Sequence, residues 1–377
     1  VRIGIDVRYL SHGLMGGVHR YVRNLVPELI RQGEQHTFLL YADTKSPFEL
    51  TDLPANAQAR YLPYRNELSS FYNDLFMRRA MAEDRLDIAH FPANYGFGPK
   101  GARTLITLHD EINILPLREI IRGHQKKLKT MVMMTYLHFS SVAALRGADY
   151  ILTVSDYSRD KIIQNSRFNP EHIIAVHSGV PPHLKRVEDR TELDAVRARH
   201  NLQKPFVLGD ALKNGGLTAK AWNLLPETLR QNTQMVFFCR TPETPEPLRE
   251  AVAAGYAKVL IRPSNEDLVA LYSMAEAFIF PSWIEGFGLP VLEAMTCGAP
   301  VIASNRGSIP EVAGEAALLV DAEDAAGLAR SIERVLTDPA EAERLRQLGF
   351  ARAAGFSWAN TARRVLDVYQ CAAQRVQ

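Results

Sequence analysis

Cysteine is scarce in this chain: three residues in 377, Cys239, Cys297 and Cys371, far apart and never in C-x-x-C spacing. That excludes a secreted disulfide framework and a cysteine-built zinc site, and it fits a reducing compartment. No apolar run approaches the ~20 residues of a membrane-spanning helix. A charge excess is missing too, because 44 basic against 42 acidic residues leave only +2. Such a balance argues against nucleic acid as a partner. Internal repeats and low-complexity tracts are absent, and the dinucleotide fingerprint G-x-G-x-x-G is expected to be absent too.

What is present is ordinary for a soluble globular protein: 46% apolar and 23% charged residues, which exclude disorder and fibrous structure. The length suggests two domains. The small positive charge lies in the first half, where residues 1–180 hold 22 basic and 18 acidic residues; the second half holds 22 and 24. The chain opens in a strand-like run, 1–7, without a signal peptide, so a cytoplasmic protein is expected.

Short β-branched or apolar runs alternate with longer helical patterns almost throughout. Strands are expected at 2–7, 36–42, 86–91, 104–110, 150–155 and 172–177, then at 206–209, 235–240, 259–263, 277–282, 301–305 and 317–321. Most connections are long enough for a helix, as parallel strands require, so the fold class is α/β with parallel sheets. The pattern pauses after Gly179-Val180-Pro181-Pro182 at the charged stretch 185–190, where a linker is expected. The reading is two Rossmann-like domains, 1–182 and 183–356, facing a central cleft. A last helix, 357–377, either caps its own domain or packs back on the first.

The densest chemical signal runs from Phe280 to Pro310. A strand ends in a turn carrying Glu285, Gly286 and Gly288; Pro290 suits the first position of a short helix running to about Cys297, and Gly298 its C-terminal cap. The helix N-terminus, with free N–H groups and a positive dipole end, favours an anion such as a diphosphate. Glu293, one turn in, suits the vicinal diol of a ribose. Glu285, in the loop before the helix, is free to meet whatever the phosphate carries. The alternative is a buried helix start with two solvated glutamates. Gly16-Gly17, between the first strand and a helix, allow close backbone approach to a phosphate, or form a plain turn.

Glu285 and Glu293, seven residues apart in E-G-F-G-L-P-V-L-E, resemble the E-x7-E signature of retaining glycosyltransferases of family 4, which have the GT-B fold. Phe280-Pro281-Ser282, the run 297–305, Pro310-Glu311-Val312-Ala313-Gly314 and Phe356-Ser357-Trp358 match as well. The resemblance implies that Glu293 holds the nucleotide ribose and that Glu285 faces the donor sugar. It also implies a donor-binding loop of Gly286, Phe287, Gly288 and Leu289, with Gly16 and Gly17 near the phosphates. Thr107-Leu108-His109-Asp110 is similar to the family's T-x-H-D element, whose histidine contacts the sugar. Thr153–Ser158 is similar to its T-V-S-x-x-S element, with Ser155 a helix cap. Lys213-Asn214 match the family's lysine on the diphosphate. The arginine position holds Asp210 instead, which leaves that role empty or filled from a neighbouring strand end by Arg240 or Arg262.

The resemblance therefore implies a retaining, metal-independent glycosyltransferase with His109 and Glu285 catalytic and Gly16, Gly17, Lys213, Gly286–Leu289 and Glu293 on the donor. No cofactor is expected besides the nucleotide-diphosphate sugar co-substrate. No metal is expected, and the chain has no D-x-D triplet. The acceptor is a glycan or a lipid-linked species. The opening strand and Gly16-Gly17-Val18-His19-Arg20-Tyr21 resemble mannosyltransferase-like members that build bacterial surface polysaccharide. A helix across 117–130 would place Arg118, Arg122, Lys126 and Lys129 on one stripe beside Leu117, Ile121 and Leu128. That pattern suits either inward packing or peripheral contact with an anionic membrane at its inner face. Two rivals stand beside this reading: a catalytically silent sugar-nucleotide-binding protein of the same fold, and an NAD-dependent dehydrogenase.

Overall fold

The structure, a computed structural model, describes residues 1–12, 16–45, 53–63, 67–122, 128–181 and 183–374. Among these, thirteen strands form two wholly parallel sheets. The first contains β1 (Arg2–Asp6), β2 (Thr37–Asp43), β3 (Ala57–Leu62), β4 (Ile88–Phe91), β5 (Arg103–Thr107), β6 (Tyr150–Thr153) and β7 (Ile173–Ala175) in the order β3-β2-β1-β4-β5-β6-β7. The second contains β8 (Phe206–Asp210), β9 (Gln234–Cys239), β10 (Ala257–Ile261), β11 (Ala277–Phe280), β12 (Val301–Ser304) and β13 (Ala317–Val320) in the order β10-β9-β8-β11-β12-β13.

Both orders reverse beside their first strand, between β1 and β4 and between β8 and β11. Connections diverge there, which opens a crevice beyond the carboxyl ends of the strands. Central strands read as continuous apolar runs because helices cover both faces. Phe38 to Ala42 and Met235 to Cys239 are buried without a break, as is the whole of β11. The strand missing from the sequence expectation is β3. Its sequence Ala-Gln-Ala-Arg-Tyr-Leu buries only its two ends, and an edge strand needs no apolar run.

The chain divides into two compact units, Val1–Gly179 with Trp358–Gln377, and Val180–Ser357. The last helix, Trp358–Gln374, belongs to the first unit, where it lies along the helix Gly17–Gln32. Gln32 Nε2 donates to the Ala359 carbonyl at 3.0 Å, and Thr361 donates to the carbonyl of His177 at 2.8 Å. The charged stretch expected as a linker is part of the second unit. Asp189 caps the helix Arg190–Arg199, whose Arg199 and following His200 both bind Asp267 of the helix Asn265–Met274.

The segment 117–130 is described as two pieces, a helix Leu117–Arg122 and the start of a helix Leu128–Leu145. Residues 123–127, with Lys126, lie outside the described residues, as do the side chains of Arg122 and Lys129. The buried apolar residue here is Ile120, whereas Leu128 is 78% exposed. Among the described residues no helix is long and apolar enough to cross a membrane.

One G-x-G-x-x-G does occur, Gly96 to Gly101, in the irregular connection from β4 to β5 with no helix after it. A Cβ on Gly96 would lie 1.9 Å from the Phe91 ring, and one on Gly98 2.0 Å from Thr104 Oγ1. Those glycines serve packing against the sheet, so they do not form a dinucleotide fingerprint.

Candidate functional site

In the second unit the residues singled out from sequence converge on the β8/β11 reversal. Asp210 ends β8 with a fully buried side chain. Its Oδ1 accepts the Leu212 amide at 3.0 Å and its Oδ2 accepts Arg240 Nη1 at 2.8 Å. One carboxylate thus sets the turn that carries Lys213 and holds the guanidinium arriving from the end of β9. Arg240 also lies over the Phe238 ring, 5.2 Å from its centroid. The residue that seemed to break the family pattern is the anchor of an arginine supplied by the next strand. Asn214 adopts a left-handed conformation, φ 56°, as the N-cap of the helix Gly215–Asn223. Its amide donates to the carbonyls of Pro281 and Ala322, tying the ends of β8, β11 and β13 together.

After β11 the chain runs through Pro281 to Gly288 into the helix Leu289–Thr296, whose N-cap is Gly288 at φ 103°. That conformation is open to glycine and costly to most other residues. Gly298, just beyond the helix, is also left-handed, φ 83°, the usual C-terminal stop. Glu285 is not free, as its loop position suggested. Its Oε1 meets Lys213 Nζ at 2.7 Å and accepts Ser282 Oγ at 2.7 Å. The backbone of this loop is braced from β12. Ser308 Oγ donates to the carbonyls of Glu285 and Phe287, and a Cβ on Gly307 would stand 2.8 Å from Glu285 N. Gly307 and Ser308 were missed from sequence because their contribution is close backbone approach, which no charge or spacing announces. The Phe287 ring is buried edge-on to Phe356, so it packs beneath the loop. Glu293, on the same short helix, is 8% exposed. Its proximity, after the larger effect of burial, pushes the Cys297 thiol up to about 12.

In the first unit, Gly16 caps the helix Gly17–Gln32 with φ −95°, and among the described residues a Cβ on Gly16 or Gly17 would meet nothing within 4 Å. Neither backbone conformation nor packing against the described residues asks for glycine there. In the same unit, Arg8 is clamped between Asp6 and Asp74, and Tyr136 donates to the other oxygen of Asp74. Burial opposes the charge on Arg8, but the two carboxylates more than offset it.

His109 follows β5. Its Nε2 donates to the Pro92 carbonyl at 2.9 Å, and its amide donates to Asn94 Oδ1. In the neutral ring that bond puts the proton on Nε2 and leaves Nδ1 as an acceptor. Burial lowers its pKa to about 4, with the Pro92 bond only partly offsetting it. Behind it lies a residue with no sequence signal beyond its strand. His90 is fully buried, with Nδ1 2.6 Å from Tyr369 of the last helix and Nε2 2.8 Å from Thr107. Burial lowers its pKa to about 3. The Tyr21 ring packs edge-on to His109 at 4.8 Å. Ser155 caps the helix Asp156–Asn165 through the Ser158 amide, as expected.

Both histidines are neutral in the fold and protonate near pH 6.5 when exposed. The unfolded chain therefore binds more protons between pH 6.5 and 4, and stability falls as pH falls through that window. Each histidine should cost about 2 kcal/mol between pH 7 and pH 5. Urea unfolding at the two pH values should show the first unit losing more than the second. Equal losses would mean that one of these rings is solvated.

Residues 15–184 match Glycosyltransferase Family 4, and residues 211–352 match Glycosyl transferases group 1. The chain is 31% identical over 308 residues to O-antigen chain mannosyltransferase B of Escherichia coli, covering 78% of this chain and 77% of that one. The chain belongs to glycosyltransferase family 4. Gly16, Gly17 and His109 fall in the first matched segment, and Lys213 to Glu293 in the second. It is also 30% identical over 243 residues to the serotype-specific mannosyltransferase WbdA of Escherichia coli, covering 61% of this chain but only 30% of WbdA. The fold is that of sucrose-phosphate synthase from Thermosynechococcus elongatus, with TM-score 0.73, 21% identity and 98% of both chains covered. It is equally that of Anabaena HepE in complex with UDP-glucose, with TM-score 0.71, 15% identity and 98% and 99% covered. Both likenesses concern the fold alone, two parallel-sheet α/β domains.

Proposed function

We propose that this chain is a retaining hexosyltransferase that takes a sugar from a nucleotide-diphosphate sugar and places it on a glycan or lipid-linked acceptor in bacterial surface polysaccharide synthesis. Mannose is the sugar favoured by the names of its relatives. One observation carries the reading: Lys213 and Glu285 come together at 2.7 Å at the β8/β11 reversal, where open parallel sheets bind ligands. Glu293 stands on the helix that opens from the same loop. In this reading Lys213, Arg240 and the N-terminus of the helix Leu289–Thr296 stabilise the departing diphosphate, an electrostatic task for preorganised groups. Glu293 takes the ribose and Glu285 faces the sugar. His109, neutral and with Nδ1 open to accept, takes a hydrogen bond from a sugar hydroxyl. Gly16 and Gly17 are assigned to the phosphates.

All the proposed counter-charges to the diphosphate are protein groups, so activity should survive EDTA. The decisive experiment offers UDP-, GDP- and ADP-sugars with a mannooligosaccharide acceptor, with and without EDTA, and reads nucleotide release and product anomer by NMR. Turnover in EDTA with the donor's anomeric configuration kept is the expected result. Loss restored by Mn²⁺ would overturn metal independence, and an inverted product would overturn retention. Nucleotide binding without turnover of any donor would establish the silent binder.

Peripheral contact with an anionic membrane around 117–130 is part of the proposal. Leu128, Val132 and Phe139 lie at helical spacing and are all largely exposed, and Arg118 is exposed nearby. An apolar stripe beside basic residues suits an interfacial helix.

A further inference from the structure

Two residues outward from Glu285, Trp283 is 48% exposed and its neighbour Ile284 is 40% exposed. The other tryptophans, Trp222 and Trp358, are 1% and 2% exposed. An indole with a bare face is a surface of the kind that interfaces favour. This one is held still. Arg306 lies over the ring, 5.2 Å from its centroid, and is itself pinned by Asp321 at 3.1 Å and Glu323 at 3.3 Å. The backbone around it is fixed by Ser282 Oγ on the Ile284 carbonyl and by Ser308 on the Glu285 carbonyl.

We propose that Trp283 is a stacking platform for a pyranose ring of the acceptor glycan, presented at the rim of the donor site. A pyranose turns a face of C–H bonds outward, and that face packs on an indole while its hydroxyls stay wet. The guanidinium already occupies part of the π surface, so the ring offers a single ligand-sized face. Because ring and loop are ordered beforehand, little freedom is lost on binding. The acidic groups of Asp321 and Glu323 beside it disfavour an anionic bilayer, and two side chains are far too small for a second copy of the chain. A neutral saccharide fits what remains. The proposal rests on the donor-site reading, since Glu285 then faces the sugar to be transferred.

Because Trp222 and Trp358 are buried, acrylamide quenching of the full chain reports Trp283. With GDP or UDP bound, mannotriose should protect the fluorescence from acrylamide. Its affinity by calorimetry should fall about tenfold or more in Trp283→Ala and less in Trp283→Phe. Nucleotide affinity should stay within about twofold, because Trp283 is not among the residues assigned to the nucleotide. Intact nucleotide binding with no protection by mannotriose, or with unchanged mannotriose affinity in Trp283→Ala, overturns the platform alone. Protection by anionic vesicles in place of the saccharide overturns it in favour of a membrane. If neither nucleotide binds the wild type, the donor-site reading fails and the platform falls with it.

Discussion

Turnover in Glu285→Gln should fall by about two to three orders of magnitude, with nucleotide affinity changed by less than about threefold. Gln keeps the size of the side chain and an oxygen for Ser282 Oγ, so the loop braced by Gly307 and Ser308 stays in place. What it removes is the negative charge beside Lys213. A carboxylate facing the sugar is most valuable when positive charge develops at the reacting carbon, so its loss appears in kcat more than in ground-state binding. His109→Ala should behave in parallel and cost about 100-fold or more, because its lone acceptor Nδ1 is aimed by the Nε2 bond to Pro92. Single-turnover rates together with nucleotide calorimetry check both variants. Near-normal kcat in both would remove the catalytic roles and support a silent binder.

The second large effect is on binding. Glu293→Ala should weaken UDP, GDP and ADP alike by roughly tenfold to a hundredfold, the worth of ~1.5–3 kcal/mol from hydrogen bonds to a charged acceptor. Glu293 is buried on a short helix whose start and end are set by Gly288 and Gly298. A circular dichroism melt separates lost binding from lost fold, and calorimetry reads the affinity. Wild-type affinity for all three nucleotides would dismiss the ribose assignment.

Much of this was legible in the sequence because it is local. Parallel strands buried on both faces must be short apolar runs, and that requirement exposed twelve of the thirteen. β3 escaped because an edge strand with buried ends carries no such run. The turn from β11 into the helix Leu289–Thr296 was readable for the same reason: Gly288, Pro290 and Gly298 express constraints on their own backbone.

Partnerships across the chain were not legible. Asp210 read as a missing arginine, yet it receives Arg240 from thirty residues away. Glu285 read as free, yet it lies against Lys213, seventy-two residues earlier. His90 carried no signal, yet it joins β4 to Thr107 and to the final helix through Tyr369. The α/β class, the positions of nearly all strands and the family were written locally in the chain, since these follow from periodicity, caps and contiguous motifs. Only the tertiary structure decided which charges are paired, which nitrogen of His109 accepts and which tryptophan meets solvent. Those depend on strand order, and β8 and β11 become neighbours only when the sheet reverses between them.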